Sequence, residues 1–143
     1  MGRLLGIAKV AQRKGPLIPA NQAEVAVKTG IAGDARGGRS GRQVTVLFRE
    51  GWEAACRDLG HELPWMARRA NLYIEGIPVP REGKRLLIGK LVLEVTQETQ
   101  PCHLMDEARL GLRAALKPEW RGGVCCRVIE GGTIRVGDSV EVA

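Results

Sequence analysis

Residues 124–142, VCCRVIEGGTIRVGDSVEV, decide the fold class. Apolar, mostly β-branched residues fall in short runs over Val124–Ile129, Thr133–Val136 and Ser139–Val142. Such runs suit strands that lie against a core. Gly131-Gly132 and Gly137-Asp138 separate them as turn signals. The stretch therefore predicts three short closing strands. Alternation within the first strand puts Cys126 on the face of Val124 and Val128, which assigns it to the core. Cys125 shares a face with Arg127, which makes it an exposed, secondary thiol.

The same grammar extends towards the N-terminus. Arg85–Val95 reads as a hairpin about Gly89-Lys90, with glycine first as a type II′ turn prefers. Residues 3–10 read as an opening strand, Glu24–Lys28 as a short strand, and Gln43–Phe48 as a buried strand. Residues 11–23 and the glycine-rich 29–42 read as loops. With 19 glycines in 143 residues, turns are frequent. The expected fold is mainly β, with about seven to nine strands, and closure into a barrel would remove the exposed edges.

Two helices complete the picture. Over Glu50–Leu59, Trp52, Cys56 and Leu59 share one face, while Glu53 and Arg57 are spaced for an i,i+4 pair. Gly60 follows as the cap and Pro64 prevents extension. Over Pro101–Leu116, the apolar stripe is Leu104, Ala108, Leu112 and Ala115 or Leu116. Gly111 predicts a bend or split there.

Length and composition fit one domain spanning residues 1–143, long enough to bury a core without disulfides or metal. No apolar run suffices to span a bilayer, and Met1-Gly2-Arg3-Leu4-Leu5-Gly6 lacks the long apolar core expected of a signal peptide. The expected location is cytoplasmic, with reduced thiols. Two histidines and no C-x-x-C pair argue against structural zinc. Net charge is +6, and its placement is uneven: residues 1–72 hold 12 Lys or Arg against 6 acids, whereas the remainder balances at 10 against 10. A basic half points to an anionic partner or a solubilising surface.

Three clusters could carry chemistry. Cys102 follows Pro101, and Pro favours the first helical position, so Cys102 is placed in the first turn, where backbone N–H groups favour a thiolate. His103 adds to that tendency, and Asp106 and Glu107 oppose it. Gly33-Asp34-Ala35-Arg36-Gly37-Gly38-Arg39-Ser40-Gly41-Arg42 sets arginines among glycines, a composition suited to cradling an anion. Arg68-Arg69-Ala70-Asn71 reads as a surface basic pair with a turn Asn that offers its amide, and Trp120-Arg121-Gly122-Gly123 as a loop before a strand that could close a pocket. Cys56, on its helix's apolar face, is core. A small barrel with a basic half could also be a non-catalytic module that binds a protein or nucleic acid. The five aromatics, however, are not interleaved with the basic cluster as base stacking requires.

Six short motifs occur in one order: Gly30-Ile31-x-Gly33-Asp34, Arg42-Gln43-Val44-Thr45, Asn71-Leu72-x-x-Glu75-Gly76, Pro101-Cys102, Arg121-Gly122-Gly123-Val124, and Gly131-Gly132-x-Ile134-x-x-Gly137-Asp138. Together they resemble the MOSC domain, named after the C-terminal part of molybdenum cofactor sulfurase, in a short stand-alone bacterial-type form. The resemblance implies a β-barrel with a few helices. It implies that Cys102 carries sulfane sulfur or ligates molybdenum. It also implies that Gly33, Asp34, Arg36, Arg39, Arg42, Asn71 and Arg121 hold a molybdenum cofactor (molybdopterin). Sulfur transfer and reduction of N-hydroxylated compounds are the activities it leaves open, with a sulfur donor or acceptor enzyme as partner. Pyridoxal phosphate belongs to fused sulfurase relatives and is not expected here. Many members carry a His after the Gly-Asp pair, where this chain has Ala35 and Arg36. Some carry a second Cys near the first, where this chain has Met105.

Overall fold

The computed structural model describes residues Met1–Ala143. In chain order the elements are β1 (Gly2–Lys9), β2 (Ile18–Ala20), β3 (Gln22–Ala26), β4 (Gly30–Ile31), β5 (Val44–Phe48) and α1 (Arg49–Leu59). A 3-10 turn (Trp65–Arg68) precedes β6 (Leu72–Glu75), β7 (Arg85–Ile88) and β8 (Leu91–Glu98). Then come α2 (His103–Ala108), α3 (Leu112–Ala115), a second 3-10 turn (Pro118–Trp120), β9 (Val124–Glu130), β10 (Gly132–Arg135) and β11 (Ser139–Val142).

Seven strands close into a barrel in the order β11-β7-β8-β9-β5-β6-β1, and β1 returns to β11 through Gly2↔Val140 and Arg3↔Ser139. β5 and β6 run parallel, as a pair joined through a helix must be free to do; the other pairs are antiparallel. β2 extends the sheet beyond β1, and β10, β3 and β4 form a separate small sheet. Three α-helices stand where two were expected, because the second prediction splits at Gly111 (φ +95). No helix is long and apolar enough to cross a membrane.

Alternation along β5 explains the two cores. Val46 and Phe48 join the barrel interior with Leu4, Leu72, Leu93 and Cys126. Leu47 points the other way, into a second cluster with Trp52, Cys56, Met105, Leu112 and Leu116. The helices are thus a layer on one flank of the barrel.

Several local expectations change. Residues 11–23 are not all loop, since β2 and the start of β3 lie within them. The three closing strands exist but separate: β10 pairs with β3, while β11 pairs with β7 and β1. Glu53 bridges back to Arg49 at 3.4 Å instead of forward to Arg57. In α2, Met105 is the buried residue, while Leu104 and Ala108 are exposed. The break at Gly111 resets the helical phase, so one stripe cannot run through both pieces.

Candidate functional site

A cleft of about 320 Å³ opens where five segments meet at one flank of the barrel. The loop after β1 brings Arg13 and Lys14, the loop before β5 brings Arg36, Arg39 and Arg42, and the turn before β6 brings Arg68 and Arg69. The segment after β8 brings Thr99, Gln100 and Cys102, and α2 adds Leu104 and Met105. Seven cationic side chains line the cleft and no carboxylate does.

Cys102 is not in the first turn of α2. It is the N-cap, in extended conformation (φ −122, ψ 178), and its carbonyl accepts the Met105 N–H at 2.9 Å. Its side chain is half-buried at the cleft wall. A six-residue helix offers little dipole, and the cleft wall that holds the sulfur also carries cations. Asp106, expected to oppose a thiolate, is tied to backbone N–H groups. Its Oδ1 accepts the Gly111 and Arg113 N–H groups, which commits it to the start of α3.

The arginines fall into two groups. Arg36 donates through Nη1 to the Arg69 carbonyl at 2.7 Å and through Nη2 to Asp34 Oδ1 at 3.2 Å. Arg69, itself left-handed at φ +65, donates to the Gly15 carbonyl at 2.6 Å. Arg68 is only 7% exposed and donates to the Gly122 and Thr99 carbonyls, both at 3.0 Å, and to Met105 Sδ at 3.5 Å. It has no carboxylate partner. Burial lowers its pKa, and charge on Cys102 or Cys125 would counter that. These three are held in place by backbone carbonyls. Arg13, Lys14, Arg39 and Arg42 are exposed at the mouth and enter no ion pair.

The other candidates from the sequence divide into supports and outliers. Asp34 is buried and faces inward: its Oδ1 also accepts the Val10 N–H at 2.9 Å, so it anchors the arginine loop and orients Arg36. Oδ2 of Asp34 and Nε of Arg36 are buried without partners. Asn71 lines the cleft floor, but its side chain is a strut. Oδ1 accepts from the Thr45 N–H and Nδ2 donates to the Ala8 carbonyl, tying β5, β6 and β1 together. Gly33 is exposed and outside the cleft lining; it serves the turn before Asp34. Arg121 lies outside the cleft lining. It points to Asp58 at 2.6 Å and to the Ala115 carbonyl, bracing α1 against α3 away from the cleft.

Arg13, Lys14, Arg68 and Arg69 carry more of the cleft than the sequence suggested. Only the bare Arg68-Arg69 pair was visible, and its burial depends on Gly122. A Cβ on Gly122 would sit 2.8 Å from the Thr99 carbonyl and 3.3 Å from Arg68 Nη2. At Gly123 (φ +92) a Cβ would strike the Val46 carbonyl at 2.1 Å. The two glycines let this segment press against β5 and present its carbonyl to Arg68.

The remaining thiols are enclosed. Cys125 lies on the outer strand face but is fully buried, with Thr99 Oγ1 over its sulfur at 3.4 Å. This overturns its reading as an exposed thiol, because alternation gives the face and not what covers it. Burial pushes the Cys126 thiol well above its ordinary range. Cys56 is core, at the base of a second opening of about 560 Å³ that holds Trp52, Trp65 and Tyr73.

Known structures share this architecture. The YuaD protein from Bacillus subtilis superposes with a TM-score of 0.83 at 19% identity, covering 99% of this chain and 96% of that one. YiiM from Escherichia coli gives 0.74 at 17% identity, covering 99% and 69%. YiiM from Geobacillus stearothermophilus gives 0.70 at 18% identity, covering 99% and 73%. At such identities the likeness concerns the fold. No curated protein matches the chain significantly. The MOSC domain model matches residues 33–141, from the glycine that opens the arginine loop into the closing strand. The chain therefore belongs to the MOSC domain family, a family associated with the molybdenum cofactor.

Proposed function

We propose that the cleft binds a phosphate-bearing molybdenum cofactor of the molybdopterin type, and that Cys102 is the thiol offered to its metal or to a sulfane sulfur. One observation carries this reading: seven cations and no carboxylate surround a single half-buried thiol. A molybdopterin-type ligand combines a phosphate, a planar ring system and a thiophilic metal. The cleft has a counterpart for each. Arginines match phosphate, Ala70, Leu104 and Met105 give one apolar side, and a thiol suits a soft metal. The residues fit the group.

Each side chain then has a task. Arg36, Arg68 and Arg69 present N–H donors already fixed by backbone carbonyls, so little side-chain freedom is lost when an anion arrives. Arg39 and Arg42 at the mouth attract anions from solution. Asp34 keeps Arg36 aimed, and Asn71 keeps β5 and β6 in register beneath them. Met105 closes the floor against water. The bound cofactor would supply two-electron redox chemistry at molybdenum, suited to reducing N-hydroxylated compounds. A chain that instead carries sulfur needs a donor or acceptor enzyme as partner. The aromatic platform of a nucleic-acid module has no counterpart here, since none of the five aromatics lines the cleft.

The test is metal and pterin analysis of protein purified from a host that makes the cofactor, with mass spectrometry of Cys102. Bound pterin with molybdenum, or one extra sulfur atom on Cys102, is expected. Cys102→Ser should abolish metal or sulfur loading while changing stability by under about 0.5 kcal/mol, as a near-isosteric change at a half-buried site. Absence of both pterin and persulfide from the parent protein overturns the reading.

A further inference from the structure

A sulfur carrier needs a donor, and this cleft restricts the donor's chemistry. Arg68 is a buried cation whose partners are two carbonyls and a thioether, none of them charged. A buried charge left without a counter-ion is costly, so an anionic occupant is its natural complement. Arg39 and Arg42, exposed at the mouth, also lack acidic partners. Cys102 is half-buried, which favours a small donor over a bulky one. Cys56, Cys125 and Cys126 are enclosed, so sulfur delivered to the cleft has one thiol to meet.

We infer that the sulfur donor is a small anionic sulfane compound of the thiosulfate class, whose transferable sulfur is attached to a sulfonate group. This rests on the sulfur-carrier reading of Cys102. The Cys102 thiolate donates its electron pair to the outer sulfur, forming a new S–S bond. The S–S bond of thiosulfate breaks, and its electron pair leaves on sulfite. The product is a Cys102 persulfide anion with free sulfite. Atoms and charge balance, and no oxidant or reductant is consumed. The cationic lining binds the sulfonate oxygens on arrival and stabilises the departing sulfite, a charge-development role open to fixed arginines. A thiophile such as cyanide then removes the sulfur as thiocyanate and restores the thiolate.

The experiment treats the reduced, full-length chain with thiosulfate and, in parallel, with an alkyl persulfide of no net charge near neutral pH, cysteamine persulfide, whose ammonium offsets the persulfide anion and which carries sulfane sulfur without the sulfonate. With thiosulfate, one sulfite per chain and one added sulfur atom on Cys102 are expected, and added cyanide should give thiocyanate. Cys102→Ser should release no sulfite, while Cys56→Ser should behave as the parent. Arg39→Ala combined with Arg42→Ala should raise the half-saturating thiosulfate concentration roughly tenfold or more, as expected for loss of charge-assisted contacts. With the alkyl persulfide the same pair should shift half-saturation far less than with thiosulfate. Loading by the alkyl persulfide without sulfite release from thiosulfate overturns the anionic-donor inference and leaves sulfur carriage standing. No loading of Cys102 by either donor overturns both. Sulfur found on Cys56 or Cys125 instead of Cys102 also overturns the inference.

Discussion

Tyr73 lies on β6 at the edge of the second opening, stacked on Trp65 with ring centroids 5.1 Å apart and planes within 2°. Burial pushes its phenol up to about 12, with the negative charge of Glu53 adding to the effect. An unfolded chain ionises the same phenol at about 10. Between those values the unfolded state holds fewer protons than the folded one, so stability falls as pH rises through that window. Tyr73 is the sole tyrosine, so tyrosinate absorbance reports on it alone. A folded-state midpoint near 12 is expected, dropping to about 10 in denaturant. Tyr73→Phe should remove that part of the alkaline loss of stability. A folded midpoint at about 10 contradicts the burial argument.

β5 is the element on which both halves of the molecule depend. Its interior residues fill the barrel, while Leu47 alone among them reaches the helical layer. That layer carries α2, and α2 carries Met105, which underlies Arg68 in the cleft. Leu47 is fully buried, so Leu47→Ala should cost about 2–5 kcal/mol in urea unfolding, from lost transfer energy and the cavity left behind. Because the change loosens the helices against the barrel, anion binding in the cleft should weaken as well. A loss of under about 1 kcal/mol would mean the helical layer collapses readily onto the barrel.

Closure is the property of the whole molecule. β1 meets β11 through a short ladder, reinforced by the Leu4 N–H to the Asp138 carbonyl at 2.9 Å and the Gly137 N–H to the Leu4 carbonyl at 2.8 Å. β11 also covers the outer edge of β7 through Glu141↔Leu87 and Val142↔Leu86. Deleting residues 139–143 would expose two strand edges and uncover the fully buried Leu4 and Leu86. Exposed edges pair with other chains. The truncated protein should therefore aggregate or unfold at temperatures where the full chain is monodisperse, as size-exclusion chromatography and thermal melts would report.

Local pattern alone determined much of this protein. The β8 hairpin with β7, the strand β5, the helix α1, the break at Gly111 and the three closing strands all follow from periodicity and turn chemistry, which act over neighbouring residues. Cys102 also emerged from its immediate surroundings, and the ordered motifs pointed to the family. Only the tertiary structure decided which cations share the thiol's cleft. Arg13, Lys14 and Arg68 reach it from segments far apart in the chain, whereas Arg121, beside the Gly122-Gly123 motif, turns away to Asp58. Burial was likewise beyond the pattern. Alternation placed Cys125 on an outer face, but the segment that covers it comes from the end of a different strand. Periodicity specifies the direction of a side chain; the partner it meets depends on long-range closure of the barrel.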